Sequence, residues 1–105
     1  MENPVAVAGF ARALPEQAAE LKELLISLAL RARREEGCLE YHVHQDVDDS
    51  DLLFFYEVWR TAQDLDNHLA QPHMREFMAG RMTYLRQDID VRVLGMQSPH
   101  PDLAR

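Results

Sequence analysis

The chain lacks most of what the common catalytic and binding templates need. It has one cysteine, Cys38, so no disulfide can form within it. Its four glycines are scattered, and neither a phosphate-cradling loop nor a dinucleotide fingerprint nor a Gly-x-Ser-x-Gly elbow occurs. No apolar run approaches the roughly 20 residues that span a bilayer. The first residues carry no basic segment followed by an apolar core, so a signal peptide is not expected and the expectation is a reduced, cytoplasmic protein. Positive charge is scarce: 18 acidic against 11 basic residues leave a net charge of −7. A surface of that sign argues against nucleic acid and against anionic lipid as partners.

What is present is a pattern for one folded domain. Hydrophobic residues make up 47% of 105 positions, ordinary for a globular chain of that length. The alternation predicts a first strand over 5–12, with Val5 and Val7 on one face and Ala6, Ala8 and Phe10 on the other. A helix should begin near Pro15, a residue suited to a first helical turn, and carry Ala18, Leu21, Leu24, Leu25, Leu28 and Ala32 at helical spacing. Gly37 is the expected stop. A second strand should run over 38–45, with Leu39, Tyr41 and Val43 on one face and Cys38, Glu40, His42 and His44 on the other. The polar stretch 46–51 reads as a turn.

The run Leu52-Leu53-Phe54-Phe55-Tyr56-Glu57-Val58-Trp59 reads as a third strand that is apolar on both faces. Its single charge, Glu57, shares a face with Leu53, Phe55 and Trp59. A carboxylate there needs a cationic partner or holds its proton; Arg12, Arg60 and Arg92 are possible partners. Thr61 and Asp64 resemble a capping box. The helical pattern that follows carries Leu65, His68 and Leu69, is interrupted at Pro72, and resumes with Met74, Phe77, Met78, Met82 and Leu85. A last strand over 88–96 has Ile89, Val91 and Val93 on one face. Residues 98–105, with two prolines and no periodicity, read as a flexible C-terminal tail to a domain over 1–97.

The order strand, helix, strand, strand, helix, strand is the ferredoxin-like βαββαβ arrangement of the α+β class. Its helices cover one sheet face. The two-faced third strand implies that the other face is also covered, most economically by a second copy, giving a homodimer.

Several side chains could carry chemistry. His68 should turn towards the sheet and any pocket there, with His73 continuing its stripe. Glu57 is suited to proton transfer if burial raises its pKa. Tyr41 and Trp59 could wall a flat aromatic ligand, and Phe77 and Met78 could add apolar lining. His42 and His44 share a strand face and could reach one metal, but no further ligand is indicated and no metal is expected.

The turn Glu36-Gly37-Cys38-Leu39-Glu40-Tyr41 resembles the E-P-G-C-L-x-Y signature of the antibiotic biosynthesis monooxygenase domain, with Glu36, after Glu35, in place of the usual proline. Glu57-Val58-Trp59, then Asp64-Leu65 and His68, resembles that family's E-x-W and L-x-x-H segment. His73 and Phe77 match its continuation. The resemblance implies a dimeric α+β barrel. It also implies a small oxygenase that oxidises a quinol, phenol or enol with dioxygen and without cofactor. His68 would then be the base or stabilise the anion, Glu57 would orient a partner or tune a pKa, and His73 would gate the pocket or bind a polar substituent, while Tyr41, Trp59, Phe77 and Met78 would supply the apolar walls that bind substrate. The family includes haem-degrading members, but Met78 stands here where they carry a histidine ligand. It also includes an isomerase of a phosphorylated sugar derivative. An isomerase of a small hydroxy-ketone and a non-catalytic dimer that binds a small aromatic are the alternatives.

Overall fold

A computed structural model describes residues 3–103. Four strands, β1 (Val5–Arg12), β2 (Cys38–Gln45), β3 (Leu52–Trp59) and β4 (Asp90–Gly95), form one antiparallel sheet in the order β2-β3-β1-β4. The helices α1 (Ala18–Ala32), α2 (Ala62–Leu69) and α3 (Pro72–Gly80) complete the βαββαβ topology. The ferredoxin-like α+β fold expected from the sequence is therefore the fold observed.

Register places the central acid. Tyr41 on β2, Glu57 on β3, Val7 on β1 and Val93 on β4 form one row across the sheet. The side chains of that row face the helices. Two buried clusters hold the helices down. One joins Leu21, Leu25 and Leu28 of α1 to Ala11, Leu53, Met74 and Leu85. The other joins Ala29 and Ala32 to Val7, Tyr41, Phe55, Trp59 and Leu65. Each fully buried leucine contributes about 1.5–3 kcal/mol, so α1 is anchored along its whole inner face.

The local signals act as physics requires, with some shifts of position. Pro15 opens a short 3-10 turn, Pro15–Gln17, and α1 proper starts at Ala18. Thr61 caps α2: its hydroxyl accepts the Asp64 backbone N–H at 3.1 Å. Pro72 ends no helix; it opens α3 in the first-turn position where its missing N–H is harmless. Gly37 is not the helix stop. The last α1 residue is Ala32, and Gly37 lies in the turn before β2 with φ +83°, a conformation that favours glycine. A β-carbon there would also overlap the Asp64 carboxylate, so the turn and α2 pack against each other only through glycine.

Two further expectations shift. A bulge between Cys38 and Glu40 turns Cys38 to the helix side, where it pairs with Trp59 and packs on the second cluster. Strict alternation had put it on the open face. The last strand is shorter than expected, Asp90–Gly95, and all six of its residues are exposed.

The open face carries Phe10, 47% exposed and 4.8 Å from the Phe54 ring, and Leu94. After β4 the chain crosses this face. His100, only 5% exposed, bonds the Glu40 carboxylate on the far edge at 2.7 Å. Ala6 and Val58, in the row beneath, are buried. The predicted tail thus includes a seated segment; Ala104 and Arg105 lie outside the described residues.

Candidate active site

The turn between α1 and β2, the end of β3 and the last turn of α2 are far apart in sequence, yet they meet. Glu35 follows the end of α1, held by its N–H to the Ala32 carbonyl at 2.9 Å. Its carboxylate passes under α2, where both oxygens lie 3.1 Å from His68 Nδ1. An ionised carboxylate only accepts, so Nδ1 donates. In the neutral ring, Nε2 then keeps its lone pair. That nitrogen is buried without a hydrogen-bond partner and sits 3.9 Å from Glu57 Oε1.

Glu57 is 4% exposed. The Trp59 indole N–H donates to its Oε1 at 2.9 Å. The same indole stacks on the His68 ring at 4.5 Å between centroids, with Tyr41 edge-on from the other strand at 5.9 Å. Burial dominates the carboxyl's proton affinity and raises its pKa. The Trp59 bond, the charge of His68 and the Tyr41 hydroxyl oppose this without cancelling it, while the charge of Glu35 adds to it. Burial and the neighbouring Glu57 also push the Tyr41 phenol up, so it stays protonated as a donor. None of Arg12, Arg60 and Arg92 forms an ion pair with Glu57; Arg60 holds Asp64 and Glu36 instead.

Glu57 forms part of the wall of a cavity of about 310 Å³ between the two core clusters. Most of the lining is apolar: Val7, Leu28, Phe55, Leu65 and Phe77 are representative, and the exposed Val91 and Val93 line it from β4. At the rim Arg81 and Asp88 form a two-pronged ion pair at 2.8 and 3.0 Å, and Arg81 holds the Asp88 carboxyl down to about 2.

The residues named from sequence separate here. Tyr41, Glu57, Phe77 and Met78 line the cavity. His68 and Trp59 do not. They stand behind Glu57, because Glu35 draws the His68 ring towards the turn and the indole covers its face. His73 lines a second hollow between α1 and α3, near Arg31 and Tyr84. Its Nε2 approaches the site only through Glu35 Oε2, at 3.9 Å, and burial with the Arg31 charge lowers its pKa. His42 and His44 lie on the open face, where His42 engages Glu40 at 3.1 Å and Arg33 at 3.3 Å. No group of three or more metal-ligating side chains occurs among the described residues, and no helix among them is long and apolar enough to cross a membrane.

Residues 4–80 match the family described as antibiotic biosynthesis monooxygenase. The chain belongs to the antibiotic biosynthesis monooxygenase family. A Mycobacterium tuberculosis protein named "Putative monooxygenase Rv0793" is 31% identical over 94 residues, covering 90% of this chain and 92% of that protein. The uncharacterized protein sll1783 of Synechocystis is 27% identical over 92 residues, 88% of this chain, and the match spans only 63% of the relative's length. Among solved structures, PA3566 from Pseudomonas aeruginosa superposes with a TM-score of 0.84 at 32% identity, covering 93% of this chain and 98% of that one.

In this member of the family, the residue that sequence reasoning passed over is Glu35. It is the acid that opens the E-P-G-C signature, and here it stands beside Glu36 in a run that reads as a solvated surface. Its weight comes from a contact with His68, 33 positions away, which no local pattern encodes.

A raised carboxyl pKa has a definite sign in stability. Folded Glu57 keeps its proton above the ordinary value of 4.5, where the unfolded chain has released it, so stability falls as pH rises through that window. Glu57→Gln has no such window. Its urea midpoint, measured against pH, should gain on wild type as pH rises above 4.5 and level off once folded Glu57 ionises. Parallel curves would show that the carboxyl is not held in its acid form.

Proposed function

We propose that the chain is a cofactor-independent monooxygenase that oxidises a small quinol, phenol or enol with dioxygen. The observation that carries this reading is a buried carboxyl of raised pKa, Glu57, in the wall of an apolar cavity sized for one small aromatic ring system. The family assignment and the name of the Mycobacterium tuberculosis relative support the reaction class.

The chemistry asks for a base and a dry pocket. Glu57 in its ionised form takes the O–H proton of a hydroquinone. Tyr41, held protonated in the same wall, donates a hydrogen bond to the oxyanion formed. The apolar walls exclude water, which strengthens both interactions. The electron-rich ring carbon then reduces dioxygen and forms a C–O bond, and the peroxide takes the proton back from Glu57. Glu57 takes the ring C–H proton as the O–O bond breaks and passes it to the departing hydroxide, so water leaves and a carbonyl remains. One oxygen atom enters the product and one leaves as water. All four electrons come from the substrate, so the step requires no added reductant.

The rim favours a neutral substrate over a phosphorylated one. Among the described residues Arg81 is the one arginine lining the cavity, and Asp88 already neutralises it. Isomerisation of a sugar phosphate would need that charge free. His68 serves in this reading as the partner of Glu57, and His73 has no contact with the cavity.

The open face, with exposed Phe10 and Leu94 and half-buried Phe54, suits a second copy of the chain packed sheet to sheet, with the 98–103 segment at the margin of the interface. Sedimentation should give twice the chain mass, and Phe10→Asp should shift it towards the monomer; a wild-type monomer at micromolar concentration would remove the dimer.

Oxygen uptake with a panel of hydroquinones and naphthols tests the reaction. Wild type should consume one dioxygen per quinol without added reductant. Glu57→Gln should lose at least about 100-fold in kcat, the usual weight of a general base. Equal rates in the two proteins would remove Glu57 from the chemistry. Turnover that continues without dioxygen would replace the oxygenase by an isomerase.

A further inference from the structure

A buried carboxyl whose pKa is raised needs a route by which its proton can leave before it can act as a base. The route through the cavity is poor, since most of its walls offer no acceptor. A route exists behind Glu57. Imidazole and carboxylate groups alternate there: Glu57 Oε1, then His68 Nε2 at 3.9 Å, then His68 Nδ1 with the Glu35 oxygens at 3.1 Å. Burial falls along the line, because the His68 side chain is fully enclosed and that of Glu35 is 17% exposed. Glu35 also lines a separate open groove on the surface, with Asp64, Asn67 and Gln71.

We propose that Glu35 and His68 form a proton relay that connects Glu57 with solvent and readies it as a base. The inference rests on the reading of Glu57 as the base of the cavity. The transfers balance. Glu57 gives its proton to His68 Nε2, and His68 releases its Nδ1 proton to Glu35. The result is an ionised Glu57, a neutral His68 in the other tautomer, and a protonated Glu35 at the groove. The reverse sequence restores the resting state after turnover. The first transfer requires the Glu57 carboxyl to close about 1 Å on Nε2 to reach bonding distance. The second is already at bonding distance. The Trp59 stack keeps the imidazole in line with both carboxyls. Glu35 acts only through His68, so it is a positioning and proton-carrying residue.

Infrared spectroscopy tests this without any substrate. The carbonyl band of protonated Glu57, assigned by its loss in Glu57→Gln, shifts when the proton is replaced by deuterium on rapid mixing with D2O. The relay predicts that Glu35→Gln, whose amide can hydrogen-bond but cannot take up and release a proton as a carboxylate does, slows this shift by at least about ten-fold. Glu35→Asp, the second variant, should stay within a few-fold of wild type. In Glu35→Ala, added formate should restore the exchange through the open groove. Equal exchange in wild type and Glu35→Gln, or the absence of a protonated Glu57 band, would overturn the relay. The oxygenase reading stands or falls separately, on quinol turnover: a normal exchange pattern with no turnover would leave the relay intact and remove the reaction.

Discussion

A carboxyl group in the middle of a sheet's covered face is the constraint on which the rest of this molecule depends. Glu57 lies on a central strand, in a row with Tyr41, Val7 and Val93. Removing a carboxylate from water costs several kcal/mol unless partners repay it. The fold answers with a neutral donor from Trp59 and an imidazole at a distance rather than with a close cation. These partners oppose the effect of burial without cancelling it, so the carboxyl's pKa stays above its ordinary value. Had an arginine reached it, the same position would be a register pin with a depressed pKa and no use as a base.

That arrangement explains why residues far apart in the chain converge. Glu35 leaves α1 at its C-terminal turn, Glu57 and Trp59 end β3, and His68 lies on α2. Gly37 makes the convergence possible, because its positive φ brings the turn back under α2 where a side chain would strike Asp64. Thr61 fixes the start of α2 and Arg60 clamps Asp64 from the strand end. The glycine, the cap and the ion pair surround the acid–imidazole–acid line and hold its spacing.

Much of this was legible in the sequence, for identifiable reasons. The element order follows from periodicity and punctuation, since proline and glycine mark the ends of elements whichever way they pack. Glu57 stands out because a lone charge in an apolar strand contradicts its surroundings. The facing of His68 was only half legible. Helical spacing with Leu65 turns it inward, as observed, but inward here means towards Glu35 rather than into the cavity. Cys38 was placed on the wrong face because one bulge reverses the alternation that the argument used. Glu35 was missed because its role depends on a long-range contact. The separate hollow of His73 depends on how α3 turns after Pro72, which a broken periodicity does not specify.

The central claim is that Glu57, and neither histidine, is the proton-handling group that a cavity ligand meets. A crystal structure of the protein soaked anaerobically with a dihydroxynaphthalene tests it most directly. The account predicts the ring among Val7, Phe55 and Phe77, with one phenolic oxygen about 2.6–3.2 Å from a Glu57 oxygen. A ligand bonded instead to His68 or His73, or seated on the open face of the sheet, would contradict it.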